Sequence, residues 1–316
     1  MKKFLLSICV LTIAALGIGA VWLHTAPAPE VAAVYHGVER KMAHLEAGEV
    51  QIPGFRIAYL DGGEGEPLVL VHGMGANKDE WNRVADRLTP HHRVIAVDLP
   101  GFGESDKPVD ASYLTPDQVE YLRQFIEALG LGSIHLGGNS MGGRVAAVYA
   151  AQYPDQVQSL WLMAPAGVVS AQPSELTSRL QRGEQIPLVV STREGLDQSL
   201  ELTTAQPPYY PGPVKDAFAQ TAHDNFELHS RIMVELMLEY AGHPLEEIVA
   251  DLSVPTRIVW GKEDKVFHYS SAEVLHRLIR DSSVLLLPET GHLPMLETPQ
   301  DLAEDYKQFR SSLKDS

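Results

Sequence analysis

A serine stands between two glycines, each two residues away, in Gly138-Asn139-Ser140-Met141-Gly142. The short apolar run Ile134-His135-Leu136 precedes it and the alanine- and valine-rich Val145-Ala146-Ala147-Val148 follows. Such a pattern reads as a strand reversing sharply into a helix with the serine at the apex, where flanking side chains would have no room. The hydroxyl then stands exposed above a helix N-terminus, whose amide hydrogens favour developing negative charge. A serine hydroxyl is a weak nucleophile near neutral pH and needs a general base. Histidine has the right pKa, and a buried carboxylate fixes its tautomer and stabilises the imidazolium. Of the thirteen histidines, His292 in Thr290-Gly291-His292-Leu293-Pro294 follows the last apolar run directly, behind a glycine. The acid comes from Trp260-Gly261-Lys262-Glu263-Asp264, at the end of the preceding run. Glu263 is a rival, but Asp264 has the shorter side chain and is the better placed to be held rigidly. The order Ser140, Asp264, His292 is the one such a turn requires. Two backbone donors complete the set: the N–H of Met141 at the helix start, and one from the glycine-bearing turn His72-Gly73-Met74-Gly75. His72 reads as a residue that shapes this turn, and Asp98, in Asp98-Leu99-Pro100-Gly101-Phe102-Gly103-Glu104-Ser105, as one that pairs with backbone.

These residues fall in loops after strands, where open α/β sheets hold their ligands. The elements that must position them are short. Glu49 to Ile52 and Phe55 to Leu60 read as a hairpin at a sheet edge. Leu68–Val71, Val94–Val97, Ile134–Leu136, Leu160–Met163, Arg257–Trp260 and Val284–Leu287 read as buried parallel strands alternating with helices. Between Gly167 and about Asp251 no buried strand is evident. That stretch holds Pro207-Pro208-Tyr209-Tyr210-Pro211 and a helical pattern with Leu228, Ile232, Met233, Leu236 and Tyr240 on one face. An insertion of this size above the carboxyl ends of a sheet is a candidate lid. The expected division is a leader over 1–24, a linker and short helix over 25–42, a core in two parts over 43–167 and 251–316, and a helical cap over 168–250.

The 316 residues carry a net charge of −16, which argues against nucleic acid as a partner. The lone cysteine, Cys9, lies in the N-terminal apolar run, so the sequence points to neither a disulfide nor a cysteine-based metal site in the folded part. Lys2 and Lys3 precede the uncharged run from Phe4 to Leu23, about 30 Å long as a helix and enough to span a bilayer. Ala26-Pro27-Ala28 has the form of a signal-peptidase site, but cleavage there would leave Pro29 first. An uncleaved membrane anchor is therefore favoured over a removed signal. The lysines stay cytoplasmic, and the catalytic part lies outside, on the periplasmic face; secretion after cleavage is the alternative.

With these residues in view, the chain resembles the α/β-hydrolases from about Ala43 onward. It is similar in particular to the cold-active lipases of the Moraxella and Psychrobacter type, and to the membrane-anchored monoacylglycerol lipases. The shared pieces are His72 to Asp79, Gly137 to Gly143, Ser159 to Leu162, Pro207 to Pro211 and Asp305 to Arg310. The resemblance implies Ser140 as nucleophile, Asp264 as acid, His292 as base and Met74 and Met141 as oxyanion donors, with no cofactor and no metal. The family's other position for the acid reads Met163-Ala164-Pro165-Ala166-Gly167 here, without a carboxylate, which supports Asp264. The implied activity is hydrolysis of acylglycerols or similar lipid esters at a membrane surface, with Met233, Met237 and Tyr209 as candidate acyl-chain contacts. Carbon–carbon hydrolysis of ring-cleavage products is the rival activity, and a short-chain esterase or perhydrolase on the same triad is another. Against carbon–carbon hydrolysis, Leu293-Pro294-Met295-Leu296-Glu297 lacks the tryptophan those enzymes carry after the histidine.

Overall fold

The computed structural model describes Trp22 and residues 25–184 and 186–314. The Phe4–Leu23 run, with its expected role as anchor or signal, lies outside the described residues apart from Trp22. Among the described residues no helix is long and apolar enough to cross a membrane.

The first helix with described bounds, α1, spans Ala28–Met42, 15 residues, and so is longer than the short helix expected after a linker over 25–42. Its prolines explain the difference. Pro27 is the N-cap and Pro29 lies in the first turn, where a missing N–H costs nothing. Strand β1 (Glu46–Ile52) and β2 (Phe55–Gly62) then form an antiparallel hairpin, with Ile52 opposite Phe55. Next come β3 (Pro67–Val71), α2 (Asn82–Leu88), β4 (Arg93–Val97) and α3 (Thr115–Ala128). Then follow β5 (Ile134–Asn139), α4 (Met141–Gln152) and β6 (Val157–Met163). Among the described residues, five helices occupy the interval before the next strand: α5 (Glu175–Gln181), α6 (Arg193–Thr203), α7 (Gly212–Asp224), α8 (Phe226–Gly242) and α9 (Leu245–Val249). The chain ends with β7 (Thr256–Gly261), α10 (Ser270–Leu278), β8 (Ser282–Leu287), α11 (Pro294–Glu297) and α12 (Pro299–Ser312).

The eight strands form one sheet in the order β1-β2-β4-β3-β5-β6-β7-β8. β2 pairs antiparallel with β4, and every pair from β4 across to β8 is parallel. Both faces are covered, which is why the strands read as unbroken apolar runs. In β3, Val69 and Val71 enter the core on one face while Leu68 and Leu70 enter the core on the other. β6 divides in the same way, Leu160 and Leu162 against Trp161 and Met163. β8 is half-buried along most of its length, because it is the outer strand of the sheet.

β3 lies between β4 and β5, so successive connections leave it in opposite directions. The loops after β3 and β5 therefore lie side by side at the carboxyl ends of the strands, the place where such sheets bind ligands. The five helices after β6 supply one apolar face to the core: Ile232 and Leu236 of α8 are buried in it, with Leu228 and Tyr240 packed against it. α1 in turn packs on α7 through Val31, Val214 and Ala217.

Candidate active site

β5 is buried along its whole length and ends at Ser140, which has φ 54° and ψ −119°. A non-glycine residue there stores roughly 1–3 kcal/mol of strain and persists only where its surroundings over-determine it. Here they do. The Ser140 N–H donates to the Met163 carbonyl at 3.0 Å, and its own carbonyl accepts the N–H groups of Arg144 and Ala166, both at 3.0 Å. The glycines on either side are sterically required. A Cβ on Gly138 would collide with the Gly142 carbonyl, and one on Gly142 with the carbonyls of Val71 and His72. Strand, turn and helix are thus pressed together with Ser140 at the apex.

His292 is brought to this apex from the other end of the chain. The Asn139 amide, next to Ser140, donates to the His292 carbonyl at 3.0 Å and to the Met163 carbonyl at 3.1 Å. His292 Nδ1 lies 2.8 Å from Asp264 Oδ2, and both side chains are buried. The other carboxylate oxygen, Oδ1, accepts the N–H groups of Val266 at 2.8 Å and Phe267 at 3.0 Å. A carboxylate held this way only accepts, so Nδ1 carries the proton and Nε2 presents its lone pair. The Phe267 ring meets the imidazole edge-on at 5.3 Å and limits its rotation. Glu263, the rival acid, is engaged elsewhere: it accepts the Thr290 N–H at 3.0 Å. Among the described residues neither Ser140 Oγ nor His292 Nε2 has a hydrogen-bond partner, as is common before substrate tightens the arrangement.

The loop after β3 faces the same apex. A Cβ built on Gly73 would be 3.4 Å from the Ser140 Cβ. Gly75 (φ 72°) supplies the positive φ that closes the turn, with the Ala76 N–H donating to the Gly73 carbonyl. Among the described residues the N–H groups of Met74 and Met141 have no protein acceptor. His72 shapes the loop, as expected. Its Nδ1 donates to the Gly73 carbonyl at 2.7 Å and its Nε2 accepts the Leu99 N–H at 3.1 Å, while burial holds its pKa down and the ring neutral. Asp98 accepts the backbone N–H groups of Lys78 and Glu104, and also a salt bridge at 2.6 Å from the buried Lys78 ammonium that the sequence did not announce.

The three candidate acyl contacts do not share one environment. Met233 is half-buried and Met237 is 40% exposed on α8. Tyr209 is 84% exposed, and its neighbour Tyr210 makes the aromatic packing instead, against Tyr35 and Phe218. In extended, proline-bounded backbone adjacent side chains point to opposite sides, so only one of the two tyrosines can face inward. Four residues of the site were not singled out in the sequence. Asn139 and Arg144 are hidden inside the turn motif. Arg144 is buried, stacks on Tyr240 and donates to the His243 carbonyl at 2.7 Å, tying α4 to the end of α8. Glu80 accepts the Gly73 N–H at 3.1 Å, and Glu297 accepts backbone N–H groups on both sides of His292. For Glu297 the available signal was a carboxylate a few residues beyond His292 at the end of an apolar run; Glu80, set among Lys78, Asp79 and Asn82, carried no such signal.

Comparison with known proteins agrees with this geometry. The sequence pattern of the α/β hydrolase fold matches residues 66–299. Lipase 3 of Moraxella sp. (strain TA144) is 37% identical over 281 residues, which cover 87% of this chain and 88% of that protein. Monoacylglycerol lipase ABHD6 of Homo sapiens is 32% identical over 256 residues, covering 78% of this chain and 75% of that one. A crystal structure described as a membrane phospholipase A superposes with a TM-score of 0.88 at 39% identity, covering 100% of both chains. From strand order, loop placement and these relatives together, the chain belongs to the α/β hydrolase fold family.

Proposed function

We propose that the protein is a serine-dependent carboxylic ester hydrolase acting on acylglycerols or related lipid esters through an acyl-enzyme. The observation that carries this reading is the buried 2.8 Å contact between Asp264 and His292, which leaves Nε2 as a base on the loop tied to the residue beside Ser140. In the proposed reaction Ser140 Oγ attacks the ester carbonyl as Nε2 takes its proton. The N–H groups of Met74 and Met141 hold the oxyanion, and the imidazolium returns its proton to the leaving alcohol. Water activated by the same nitrogen then releases the fatty acid. The relatives, a lipase and a monoacylglycerol lipase, support a lipid ester as substrate. Met233 and Met237 are proposed to line the acyl path from α8, where an unbranched thioether adapts to chains of different shape.

The apolar run Phe4–Leu23 is proposed to anchor the enzyme in a membrane with the hydrolase outside the cytoplasm. Its end, Trp22, packs into the cluster that joins α1 to α7, which supports a site held near the bilayer. Alkaline carbonate washing of membranes tests this: the full-length chain is expected to stay in the pellet, and its release would mean that it does not span.

The central test is S140A. It is expected to lose hydrolysis of nitrophenyl esters and labelling by a fluorophosphonate; persistence of either removes Ser140 from the mechanism. A series of esters from acetate to palmitate, run beside a ring-cleavage product, separates the readings further. Faster turnover of the ring-cleavage product than of any ester would replace ester hydrolysis by carbon–carbon hydrolysis.

A further inference from the structure

We propose that Glu297 is a positioning residue that fastens the loop carrying His292 to the segment after α6, and thereby sets where the imidazole stands against Ser140. This rests on His292 being the general base.

The Glu297 carboxylate lies where two stretches of backbone meet. On the histidine side it accepts the Gly291 N–H, at 3.0 Å to Oε1 and 3.1 Å to Oε2, and the Leu293 N–H at 3.3 Å. The residues immediately before and after His292 are therefore held by one side chain. On the other side Oε2 accepts the N–H groups of Ala205 at 2.7 Å and Gln206 at 3.1 Å. The two stretches also touch directly. The His292 N–H donates to the Thr203 carbonyl at 2.7 Å, and a Cβ on Gly291 would lie 2.8 Å from Ala205 N and 2.9 Å from Thr203 O. No side chain fits there, so the approach is backbone to backbone and Glu297 bridges it.

A carboxylate is the side chain this place demands. Its two oxygens offer about four acceptor sites, matching four N–H donors, whereas an amide would turn an NH2 group toward half of them. Burial pushes the Glu297 carboxyl up, while the N–H groups of Gln206, Gly291, Ala205 and Leu293 pull it back down. The same four donors that stabilise the charge define the position of the loop. Asp264 fixes the rotation of the imidazole, and Glu297 fixes the height of the backbone from which the ring projects. A displacement of about 1 Å at a reacting group costs on the order of 100-fold in rate, so a support of this kind acts on turnover more than on substrate affinity.

The test compares full-length wild type, E297Q and S140A on nitrophenyl butyrate, with kcat and KM determined separately. For E297Q kcat is expected to fall about 10- to 100-fold while KM changes less than about threefold, and fluorophosphonate labelling of Ser140 slows by the same factor as kcat. A raised KM with intact kcat would make Glu297 a support for the substrate-side helices only, and unchanged kcat and KM would show that the loop holds its place without the carboxylate. Either result overturns the proposal. A205P removes the shortest donor and leaves the carboxylate in place, covering the case in which E297Q does not fold. A drop in kcat of about 3- to 10-fold is expected for it, and an unaltered kcat overturns the link to the segment after α6. Activity surviving in S140A is a different failure: it strikes the nucleophile assignment rather than the role of Glu297.

Discussion

Two loops flank Ser140, and each is held by a glutamate, but in different ways. The loop after β3 is held locally: Glu80, seven residues on from Gly73, accepts a single N–H from it at 3.1 Å. The loop after β8 is held from all sides, by Glu297, by the Thr203 carbonyl, by the Asn139 amide and through the ring by Asp264. The ionisation of the two glutamates differs accordingly. Burial and the nearby charge of Asp98 push Glu80 up to about 8, with one N–H bond in opposition, whereas Glu297 has four donors to oppose its burial. In its proposed role the loop after β3 needs only to present a backbone N–H, and a tight turn does that by itself. The histidine must meet a serine 152 positions earlier in the sequence while its ring remains poised, and no local turn can specify that.

If this contrast is right, damage to the histidine side should be severe and graded by closeness to the ring. The largest effect belongs to D264N, which keeps the shape but offers an amide where Nδ1 must donate. A fall in kcat of about 10⁴-fold is expected, with the fold intact by circular dichroism. A fall of less than tenfold would mean that Glu263 or another acid serves in its place. N139A comes next, since it leaves the ring's partner untouched and releases the His292 and Met163 carbonyls. A loss of about 10-fold in kcat with little change in KM is expected in steady-state assays. A loss as deep as that of D264N would mean that the elbow itself has collapsed.

Legibility in the sequence follows the same division. The eight strands of the described residues could be read, six of them because parallel strands covered by helices leave apolar runs such as Leu68–Val71 and Leu160–Met163, and β1 and β2 as a hairpin at the sheet edge. Ser140 and its glycines were legible because the constraint that spells them is steric and local. His292 and Asp264 were legible through their places after strands and their chain order. Their supports were not. Glu297 acts through its distance to Ala205 and Gln206, and nothing in the sequence places residues 205 and 297 side by side. The full length of α1 was not legible, because its prolines look like linker residues until they are recognised as the cap and first turn of a helix. Tyr209 and Tyr210 are adjacent members of one motif, and only the direction of the backbone decides which is buried.

The oxyanion side should yield the smallest effect at neutral pH and the clearest one on the alkaline side. Glu80 is raised to about 8 in the folded protein, from an ordinary value of 4.5. Between those two values the unfolded chain has lost this proton while the folded chain keeps it, so the folded state binds more protons. Stability attributable to Glu80 is therefore complete below about pH 4.5 and declines as pH rises toward 8. E80Q is always neutral and still accepts the Gly73 N–H through its amide oxygen. It should flatten the slope of unfolding free energy between those pH values by about 1 kcal/mol or more, measured by urea titration at several pH values. Catalysis should show the same group. Above about pH 8 the ionised Glu80 places a negative charge beside the turn proposed to hold the oxyanion, so kcat of the wild type should fall about 3- to 10-fold there while that of E80Q stays level. An alkaline fall that persists unchanged in E80Q would separate Glu80 from the oxyanion loop, leaving the turn held by its own backbone and by His72 alone.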